Sequence, residues 1–348
     1  MIRVAIADDS PFTCRLIAGY LEDGGACEVI AMAHDAQSTL EAVRTNRPDV
    51  LTLDLEMPGG GGLELLQRVV EETNVPVVVI SGVTRRAAAI TLRALALGAV
   101  DCVLKYTPGA PVRPDTLRRE ILAKVTVAAG SFPRPASLPA RARLERVPVP
   151  PGIRAHRAAR KKTDVIVIGA STGGPRAVRD VLAQFPANFT TPCIVVQHLP
   201  ASFTGAFAAD LARQVRIPVS EARTGDRLEP GRALVAPGSV HLLVKSGAEL
   251  ELRNPCDADV YRPSIDLTMA SAAESYGSSA LGIVLTGMGS DGAEGLRRIR
   301  ERGGDAYVQD PASCVVSSMP VRALERAGAD YVATPERIGH LIVERRIA

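Results

Sequence analysis

The residues that decide the fold are Asp164-Val165-Ile166-Val167-Ile168-Gly169-Ala170-Ser171-Thr172-Gly173-Gly174-Pro175. The run Asp164–Ile168 is apolar after its first residue and predicts a buried strand, and Pro175 predicts that a helix begins directly after the turn. The turn has the form G-x-S-x-G, in which glycines relieve crowding and raise a serine hydroxyl above the sheet. The helix N-terminus supplies backbone N–H groups suited to an oxyanion. We therefore predict that Ser171 is a nucleophile.

The same glycine-rich turn has two other interpretations. It could hold a phosphate, but Ser171 stands where G-x-G-x-x-G requires its second glycine, and no Gly-Lys-Ser or Gly-Lys-Thr follows. A purely structural turn remains the second alternative.

A serine nucleophile needs a general base, and His198 is the predicted one. It directly follows the predicted strand Cys193–Gln197, so its ring should emerge at the same sheet edge as Ser171. His241 is the only rival in this half, and its apolar surroundings favour a core or surface strand position. The chain contains five histidines: His34, His156, His198, His241 and His340.

The base needs an orienting carboxylate, for which we select Asp291. It lies in the run Leu285–Gly292, just beyond the predicted strand Ala280–Leu285. An Asp between glycines is by itself typical of a turn or a helix cap. The order Ser, His, Asp also differs from the orders found in α/β-hydrolases, chymotrypsin and subtilisin, which disfavours the ordinary hydrolase fold.

Apolar runs alternate with amphipathic segments on both sides of the chain, which predicts parallel sheets covered by helices. Predicted strands of the first half are Arg3–Ala7, Cys27–Met32, Val50–Asp54, Val77–Ser81 and Asp101–Lys105, before a last helix near Pro114–Ala129. The second half adds a strand at Arg232–Ala236 and helices at Pro175–Gln184, Ser264–Tyr276 and Gly292–Arg302. The predicted fold class is α/β, with two doubly wound parallel-sheet domains.

The length of 348 residues also favours two domains. Prolines and arginines between them predict a linker at 127–162, which divides the chain into domains at 1–126 and 163–348. The linker arginines fit a solvated spacer better than a contact with nucleic acid or an acidic partner. The net charge of +3 is too small to indicate nucleic acid, and no apolar run is long enough for membrane insertion.

The expected compartment is the cytoplasm. Asp8 and Asp9 interrupt the N-terminal apolar run where a signal peptide would continue it. Six scattered cysteines without a CxxC pair indicate neither a disulfide framework nor a thiolate zinc site.

Chemically distinctive residues end successive strands of the first domain, at the edge where parallel sheets bind ligands. They are Asp8, Asp9, Asp54, Ser81 and Lys105. The three converging carboxylates would repel one another unless a hard cation such as Mg²⁺ lay between them. Beside such a metal a carboxylate can attack a phosphoryl group, and Asp54 is the predicted nucleophile.

This set resembles the receiver domain of two-component response regulators, which has a flavodoxin-like fold. The resemblance implies that Asp8, Asp9 and Asp54 bind Mg²⁺, that Asp54 accepts phosphate, and that Ser81 and Lys105 bind it. A histidine kinase would be the phosphodonor. The sequence departs from the usual pattern at Cys102, Tyr106 and Gly59–Gly62, which puts in doubt how the phosphorylation signal is relayed.

The second half resembles the catalytic domain of chemotaxis protein-glutamate methylesterases, a Rossmann-like three-layer hydrolase. The matching motifs are Gly169–Gly174, Gln197–Pro200, Ala236–Gly238, Arg262–Asp266, Thr286–Gly292 and Ala312–Val316. The resemblance implies hydrolysis of glutamate methyl esters on cytoplasmic helices of chemoreceptors, with release of methanol and, in some relatives, deamidation of glutamine. This reaction serves adaptation in chemosensory signalling and needs no metal in the hydrolase domain.

In this mechanism Ser171 attacks the ester, His198 takes its proton and Asp291 orients the imidazole. The resemblance implies that the backbone N–H of Met288 binds the oxyanion, and Thr172 is a second candidate from its place in the turn. Two other classes stay open. One is a response regulator that only binds partners through a degenerate esterase domain, and the other is a transcription factor, which the absence of a helix-turn-helix pattern disfavours.

Overall fold

The computed structural model describes residues 1–57, 61–82, 84–105, 114–131 and 162–347. These residues belong to two compact units, one within Met1–Leu138 and the other within Pro139–Ala348. Tyr106, Gly59, Gly60 and most of the proposed linker lie outside the described residues. The helix that begins at Pro114 continues to Ser131, and the boundaries at 126 and 162 stay predictions.

The first unit is a five-stranded parallel sheet with strand order β2-β1-β3-β4-β5. The central strands are buried along almost their whole length, which explains why they consist of apolar runs without alternation. Its strands are β1 Ile2–Ala7, β2 Cys27–Ala33, β3 Val50–Leu53, β4 Val77–Ser81 and β5 Asp101–Leu104. Its helices are α1 Pro11–Glu22, α2 Ala36–Asn46, α3 Gly62–Thr73, α4 Arg85–Leu97 and α5 Pro114–Ser131.

The second unit contains a seven-stranded parallel sheet and a two-stranded antiparallel hairpin. Its strands are β6 Val165–Ala170, β7 Cys193–Gln197, β8 Val219–Glu221, β9 Ala233–Val235, β10 His241–Val244, β11 Leu250–Arg253, β12 Ala280–Val284, β13 Asp305–Gln309 and β14 Tyr331–Ala333. Its helices are α6 Gly174–Leu182, α7 Ala201–Gln214, α8 Ile265–Tyr276, α9 Ala293–Glu301, α10 Ser318–Ala327 and α11 Pro335–Ile347. The hairpin is β10 with β11.

Helices cover both faces of the large sheet. One group packs α8, α9 and α10 together, and another packs α6 against α11. Every residue of β6 is buried, as expected of a central strand with helices on both sides. The predicted fold class, two doubly wound parallel α/β domains, is confirmed.

The order of the large sheet is β14-β13-β12-β6-β7-β9-β8. From β6 the chain adds strands on one side, through β7 to the edge, and then returns to place β12 on the other side of β6. The direction of strand addition therefore reverses at β6, and ligands of open parallel sheets bind at such a point. The residues that follow β12, β6 and β7 meet there.

Several elements of the second unit were not predicted. Strands β8 and β14 are three residues long and lie at the two edges of the sheet, where partial exposure removes the continuous apolar run that marks a buried strand. The antiparallel hairpin also departs from the parallel alternation. Predicted helix and strand ends otherwise differ from the observed ones by one or two residues.

Candidate active site and acidic pocket

Ser171 lies in a tight turn whose backbone is fixed from both sides. Its N–H donates to the carbonyl of Thr286 at 3.0 Å, and its own carbonyl accepts from the N–H of Gly174 at 2.8 Å. The buried amide of Gln197 donates a further bond to that carbonyl at 2.8 Å. With these groups satisfied, the turn holds the partly exposed Ser171 side chain at the carboxyl edge of β6.

Two glycines explain how the turn can be so tightly packed. Gly173 has φ of 76°, a left-handed conformation that favours glycine, and a Cβ there would lie 2.6 Å from Cβ of Val315. A Cβ on Gly287 would lie 2.7 Å from Cβ of Ser171. The backbone after β12 therefore packs directly against the serine, which brings the Thr286–Gly292 segment into the site.

His198 and Asp291 are joined by a hydrogen bond of 2.8 Å between Nε2 and Oδ2. His198 follows β7, and its N–H donates to the carbonyl of Ala170 beside Ser171. Nε2 faces the carboxylate, so Nδ1 is the ring nitrogen that does not bond to Asp291. Among the described residues no hydrogen bond joins Ser171 Oγ to His198, and catalytic bonds of this kind often tighten only when substrate binds.

Asp291 is buried and accepts hydrogen bonds from several backbone groups. Oδ2 accepts from the N–H of Ile265 at 2.7 Å, and Oδ1 accepts from Asp266 at 2.9 Å and Gly292 at 3.1 Å. The first two N–H groups belong to the start of α8, whose helix dipole also favours a negative charge. Burial by itself would raise the pKa of Asp291, but His198 and these N–H groups outweigh it and lower the pKa. The site therefore holds an ionised carboxylate under the imidazole.

Asp266 is a second carboxyl group beside Asp291, and it has a different environment. It lies in the first turn of α8 and accepts a hydrogen bond from the N–H of Gly295. Burial, followed by the charge of Asp291, raises the pKa of Asp266 to about 6. Among the hydrogen bonds of the described residues, none joins Asp266 to His198.

The raised pKa of Asp266 predicts a pH-dependent effect of Asp266→Asn on stability. Unfolded Asp titrates near 3.8 and the folded group near 6, so the folded state binds the additional proton between these pH values. Stability of the unchanged protein therefore falls as the pH rises through this window, and the cost is complete above it. Asn does not titrate and avoids this cost. The unfolding free energy of the variant, relative to that of the unchanged protein, should therefore rise by about 1 to 2 kcal/mol from pH 4 to pH 7. Denaturant unfolding at both pH values measures this gain, and a pH-independent difference would contradict it.

The two predicted oxyanion donors, Met288 and Thr172, differ in burial and in hydrogen bonding. The N–H of Gly287 donates to the carbonyl of Val316, and that of Gly289 donates to Oγ of Ser318 at 3.1 Å. Between them, the N–H of Met288 has no acceptor among the described residues, and Met288 is exposed. Thr172 is buried, and its carbonyl accepts from Oγ1 of Thr286 at 3.0 Å.

Tyr261 is a residue of the site that sequence reasoning missed. Its ring stacks on the imidazole of His198, with centroids 5.2 Å apart and planes at 7°. Its hydroxyl oxygen accepts a hydrogen bond from the N–H of Ser290 at 3.3 Å. An aromatic residue directly before the motif Arg262–Asp266 was the available signal.

His241 is not part of the Ser171 cluster. It is fully buried on β10, where its Nε2 lies 3.0 Å from Oδ2 of Asp259 and its Nδ1 accepts from the N–H of Ser264 at 3.2 Å. The expectation of a strand position for His241 is correct.

The acidic pocket of the first unit brings together four of the five side chains predicted for it, those of Asp8, Asp9, Asp54 and Lys105. Carboxylate oxygens of Asp8, Asp9 and Asp54 lie within 4.8 Å of one another. Lys105 Nζ contacts Oδ2 of Asp54 at 2.5 Å and Oδ2 of Asp8 at 2.8 Å. Burial would lower the pKa of Lys105, but its bonds to these two carboxylates outweigh burial and raise the pKa. Three clustered carboxylates are a donor set that fits a hard divalent cation.

Ser81 ends β4 and is buried. Its hydroxyl donates to the carbonyl of Gly82 at 3.2 Å and accepts from Oγ1 of Thr91 on α4 at 2.7 Å. Among the described residues it has no hydrogen bond to Asp54. Ser81 is therefore close to the pocket in the fold but has its hydroxyl engaged by α4.

Cys102, one of the departures from the receiver pattern, is buried on β5, and burial raises the pKa of its thiol to about 12. Its carbonyl accepts from Nζ of Lys124 on α5 at 2.5 Å. The position usually given to an aromatic ring is thus occupied by a small, inert thiol.

These two units define a class of protein: a response regulator whose output domain is a hydrolase built on a parallel sheet. Comparison with known families agrees, since residues 4–120 match the response regulator receiver domain and residues 166–342 match CheB methylesterase. The chain belongs to the CheB methylesterase family, as the sequence motifs predicted. No helix among the described residues has the length and hydropathy needed to cross a membrane.

Curated relatives align along nearly the whole chain. A "Protein-glutamate methylesterase/protein-glutamine glutaminase" of Syntrophotalea carbinolica is 40% identical over 99% of both chains. A relative of the same name, numbered 1, from Pseudomonas aeruginosa is 36% identical over 99% of both. The crystal structure of the Thermotoga maritima CheB methylesterase catalytic domain matches with a TM-score of 0.51 and 36% identity, covering 53% of this chain and 99% of that one.

Proposed function

We propose that the protein hydrolyses glutamate methyl esters on the cytoplasmic helices of chemoreceptors, under control of phosphorylation at Asp54. The observation that carries the proposal is the hydrogen bond between His198 and the buried Asp291 at the same sheet edge as the Ser171 turn. Full-length relatives named as methylesterases support the substrate. The reaction would serve adaptation in chemosensory signalling in the cytoplasm.

The reaction begins with Ser171 Oγ attacking the ester carbonyl carbon while Nδ1 of His198 accepts the hydroxyl proton. Nε2–H donates to Asp291, which fixes the tautomer and stabilises the imidazolium that forms. The N–H of Met288 binds the oxyanion. The N–H groups of its neighbours Gly287 and Gly289 already donate to Val316 and Ser318, whereas that of Met288 has no acceptor among the described residues. Thr172 is the second donor. One such donor lowers the barrier by about 3 to 4 kcal/mol.

The tetrahedral intermediate expels the methoxy group, which takes the proton from His198 and leaves as methanol. Water then attacks the acyl-serine with His198 again as base, and glutamate and free Ser171 are regenerated. The same steps with ammonia as the leaving group would deamidate a receptor glutamine. The relatives' printed name includes the glutaminase activity, which supports this second reaction.

In the acidic pocket, Asp8, Asp9 and Asp54 would hold Mg²⁺. When bound, the ion would neutralise charge on the phosphoryl oxygens. A carboxylate oxygen of Asp54 would attack the phosphorus atom of the phosphohistidine of a chemotaxis histidine kinase, so that the O–P bond forms as the P–N bond breaks and the kinase histidine leaves. Lys105, which contacts both Asp54 and Asp8, would then pair with the transferred group. Ser81 would donate its hydroxyl to a phosphoryl oxygen in place of the carbonyl of Gly82.

Methanol release from methylated receptor membranes tests the proposal. The intact protein should release methanol, and the rate should rise with a small-molecule phosphodonor and Mg²⁺. No methanol release under either condition would favour the alternative in which the second domain only binds partners. DNA binding with a steep salt dependence would instead revive the transcription-factor alternative.

Replacing Asp54 by Asn is expected to remove the response to phosphodonor. The amide cannot form the acyl phosphate, so the rate with phosphodonor should equal the rate without it, while basal methanol release persists. The matched control is Asp49→Asn, which changes a carboxylate on the same unit that bonds to the N–H of Arg3, away from the pocket. A phosphodonor response in the Asp54 variant equal to that of the control would contradict the assignment.

A further inference from the structure

The imidazole of His198 is supported on its edge and on one face. Asp291 bonds to the edge at Nε2, and the ring of Tyr261 covers the face in a nearly parallel, offset stack. The negative face of an aromatic ring attracts a cation whose centre lies within about 6 Å of its centroid. The observed centroid distance of 5.2 Å falls inside that range. The ring is therefore placed to interact more strongly with imidazolium than with neutral imidazole.

The segment that carries Tyr261 is held in place at both ends by one buried side chain. His241 Nε2 bonds to Asp259, two residues before the tyrosine, and His241 Nδ1 accepts from the N–H of Ser264, three residues after it. These bonds fit the tautomer with its proton on Nε2. Asp259 also accepts from the N–H of Cys256 at 2.7 Å, which closes the turn.

Arg262, which follows Tyr261, is hydrogen-bonded within the same segment. Its guanidinium donates from Nε to the carbonyl of Asp259 at 3.2 Å and from Nη2 to that of Cys256 at 3.0 Å. The Tyr261 hydroxyl, at the far end of its ring, accepts from Ser290 in the loop that also contains Met288. A Cβ on Gly289 would lie 2.4 Å from that hydroxyl oxygen, so the loop packs closely on the ring. Tyr261 thus connects two segments around His198.

We propose that Tyr261 is a positioning residue for His198, whose ring face stabilises the imidazolium formed when Ser171 gives up its proton. Tyr261 acts through His198 and does not itself transfer a proton. The inference rests on the proposed function, because it assigns His198 the role of base. It deepens that function by adding a face-on partner to the edge-on partner Asp291.

In the part of the chain that the structure describes, the titratable and charged groups near His198 come from three elements. Asp291 lies in the loop before α9, Asp266 lies in the first turn of α8, and Tyr261 and Arg262 lie in the segment before α8. Asp291 favours the imidazolium in every Tyr261 variant, so it does not account for a difference among them. Asp266 titrates near pH 6. The comparison is therefore also made in an Asp266→Asn background, which removes that second titration.

The experiment measures the pH dependence of kcat/KM for methanol release by the full-length protein carrying Tyr261→Leu or Tyr261→Phe. Loss of the ring in Tyr261→Leu should move the midpoint of the acid limb to lower pH by roughly half a unit, and the same loss of free energy should reduce kcat/KM on the plateau by roughly threefold. Tyr261→Phe keeps the ring and should keep the midpoint. An unchanged midpoint in Tyr261→Leu, or an equal shift in both variants, would overturn the inference.

A purely structural role for Tyr261 would reduce activity without moving the acid limb. If Tyr261→Leu does not fold, replacement of Tyr261 by pentafluorophenylalanine keeps the ring shape but reverses its face potential. Compared with Tyr261→Phe, it should shift the midpoint to lower pH, and an identical midpoint would overturn the inference. Ser171→Ala, assayed in parallel, separates the two claims: methanol release by that variant would refute the proposed function itself.

Discussion

Replacing Ser171 by alanine is expected to reduce methanol release by about 10⁴-fold or more, because no other group can form the acyl intermediate. The backbone of the turn should survive, since its bonds to Thr286, Gly174 and Gln197 involve main-chain atoms of residue 171. Alanine retains the Cβ that packs on Gly287. The loss should therefore appear in kcat, with binding of methylated receptor unchanged.

The matched control for this substitution is Ser246→Ala. Ser246 is exposed in the turn between β10 and β11, so the change should leave the rate unaltered. Retention of more than about one-hundredth of the activity by the Ser171 variant would show that the nucleophile is another group. Equal thermal unfolding of the two variants would exclude misfolding as the cause of inactivity.

Replacing Asp291 by Asn is expected to reduce kcat by about 10³- to 10⁴-fold. Both carboxylate oxygens accept hydrogen bonds from N–H groups, so the amide NH₂ meets a donor whichever way it is turned. If the NH₂ group faces His198, it donates to Nε2, so the neutral ring must carry its proton on Nδ1. Nδ1 then cannot accept the proton of Ser171. Stability should fall as well, by about 1 to 3 kcal/mol, because buried donors lose their acceptor.

The neighbouring Asp266→Asn variant is the control for Asp291. It removes a carboxyl group from the same cluster without touching His198, and it should leave kcat near pH 8 within about threefold of the unchanged protein. Similar losses in the two variants would mean that the cluster acts through overall charge, and that Asp291 has no special role in orienting the imidazole.

The carboxyl edge of the large sheet could be predicted because Ser171 and His198 directly follow strongly apolar strands, and Asp291 lies in the loop after a third one. Ser171, His198 and Asp291 follow β6, β7 and β12, three adjacent strands that are buried along their whole length. The same signal identified Asp54 after β3 and Lys105 after β5. Hydrophobic patterning therefore located the side chains, although their catalytic and binding roles stay predictions.

Contacts between distant segments could not be read from patterning. Tyr261 and His198 are separated by 63 positions, and no periodicity marks a residue whose importance lies in the side chain that it stacks on. The bond between Ser81 and Thr91 is similar, because Thr91 is an ordinary buried position of α4 until its partner is known. The edge strands β8 and β14 were not predicted for another reason: they are too short and too exposed to show a strand pattern.

The strand order β12-β6-β7 separates the geometry of the site from the connectivity of the chain. Three neighbouring strand ends meet at one edge, and the protein chain visits the outer side of the sheet between the second and the last of them. Any circular permutation that preserves the three strands as neighbours would give the same constellation with a different order of residues. A search for related or redesigned proteins should therefore compare the order of the three residues across neighbouring strands of the sheet. Their order in the sequence, Ser, His, Asp, depends only on how the strands are connected.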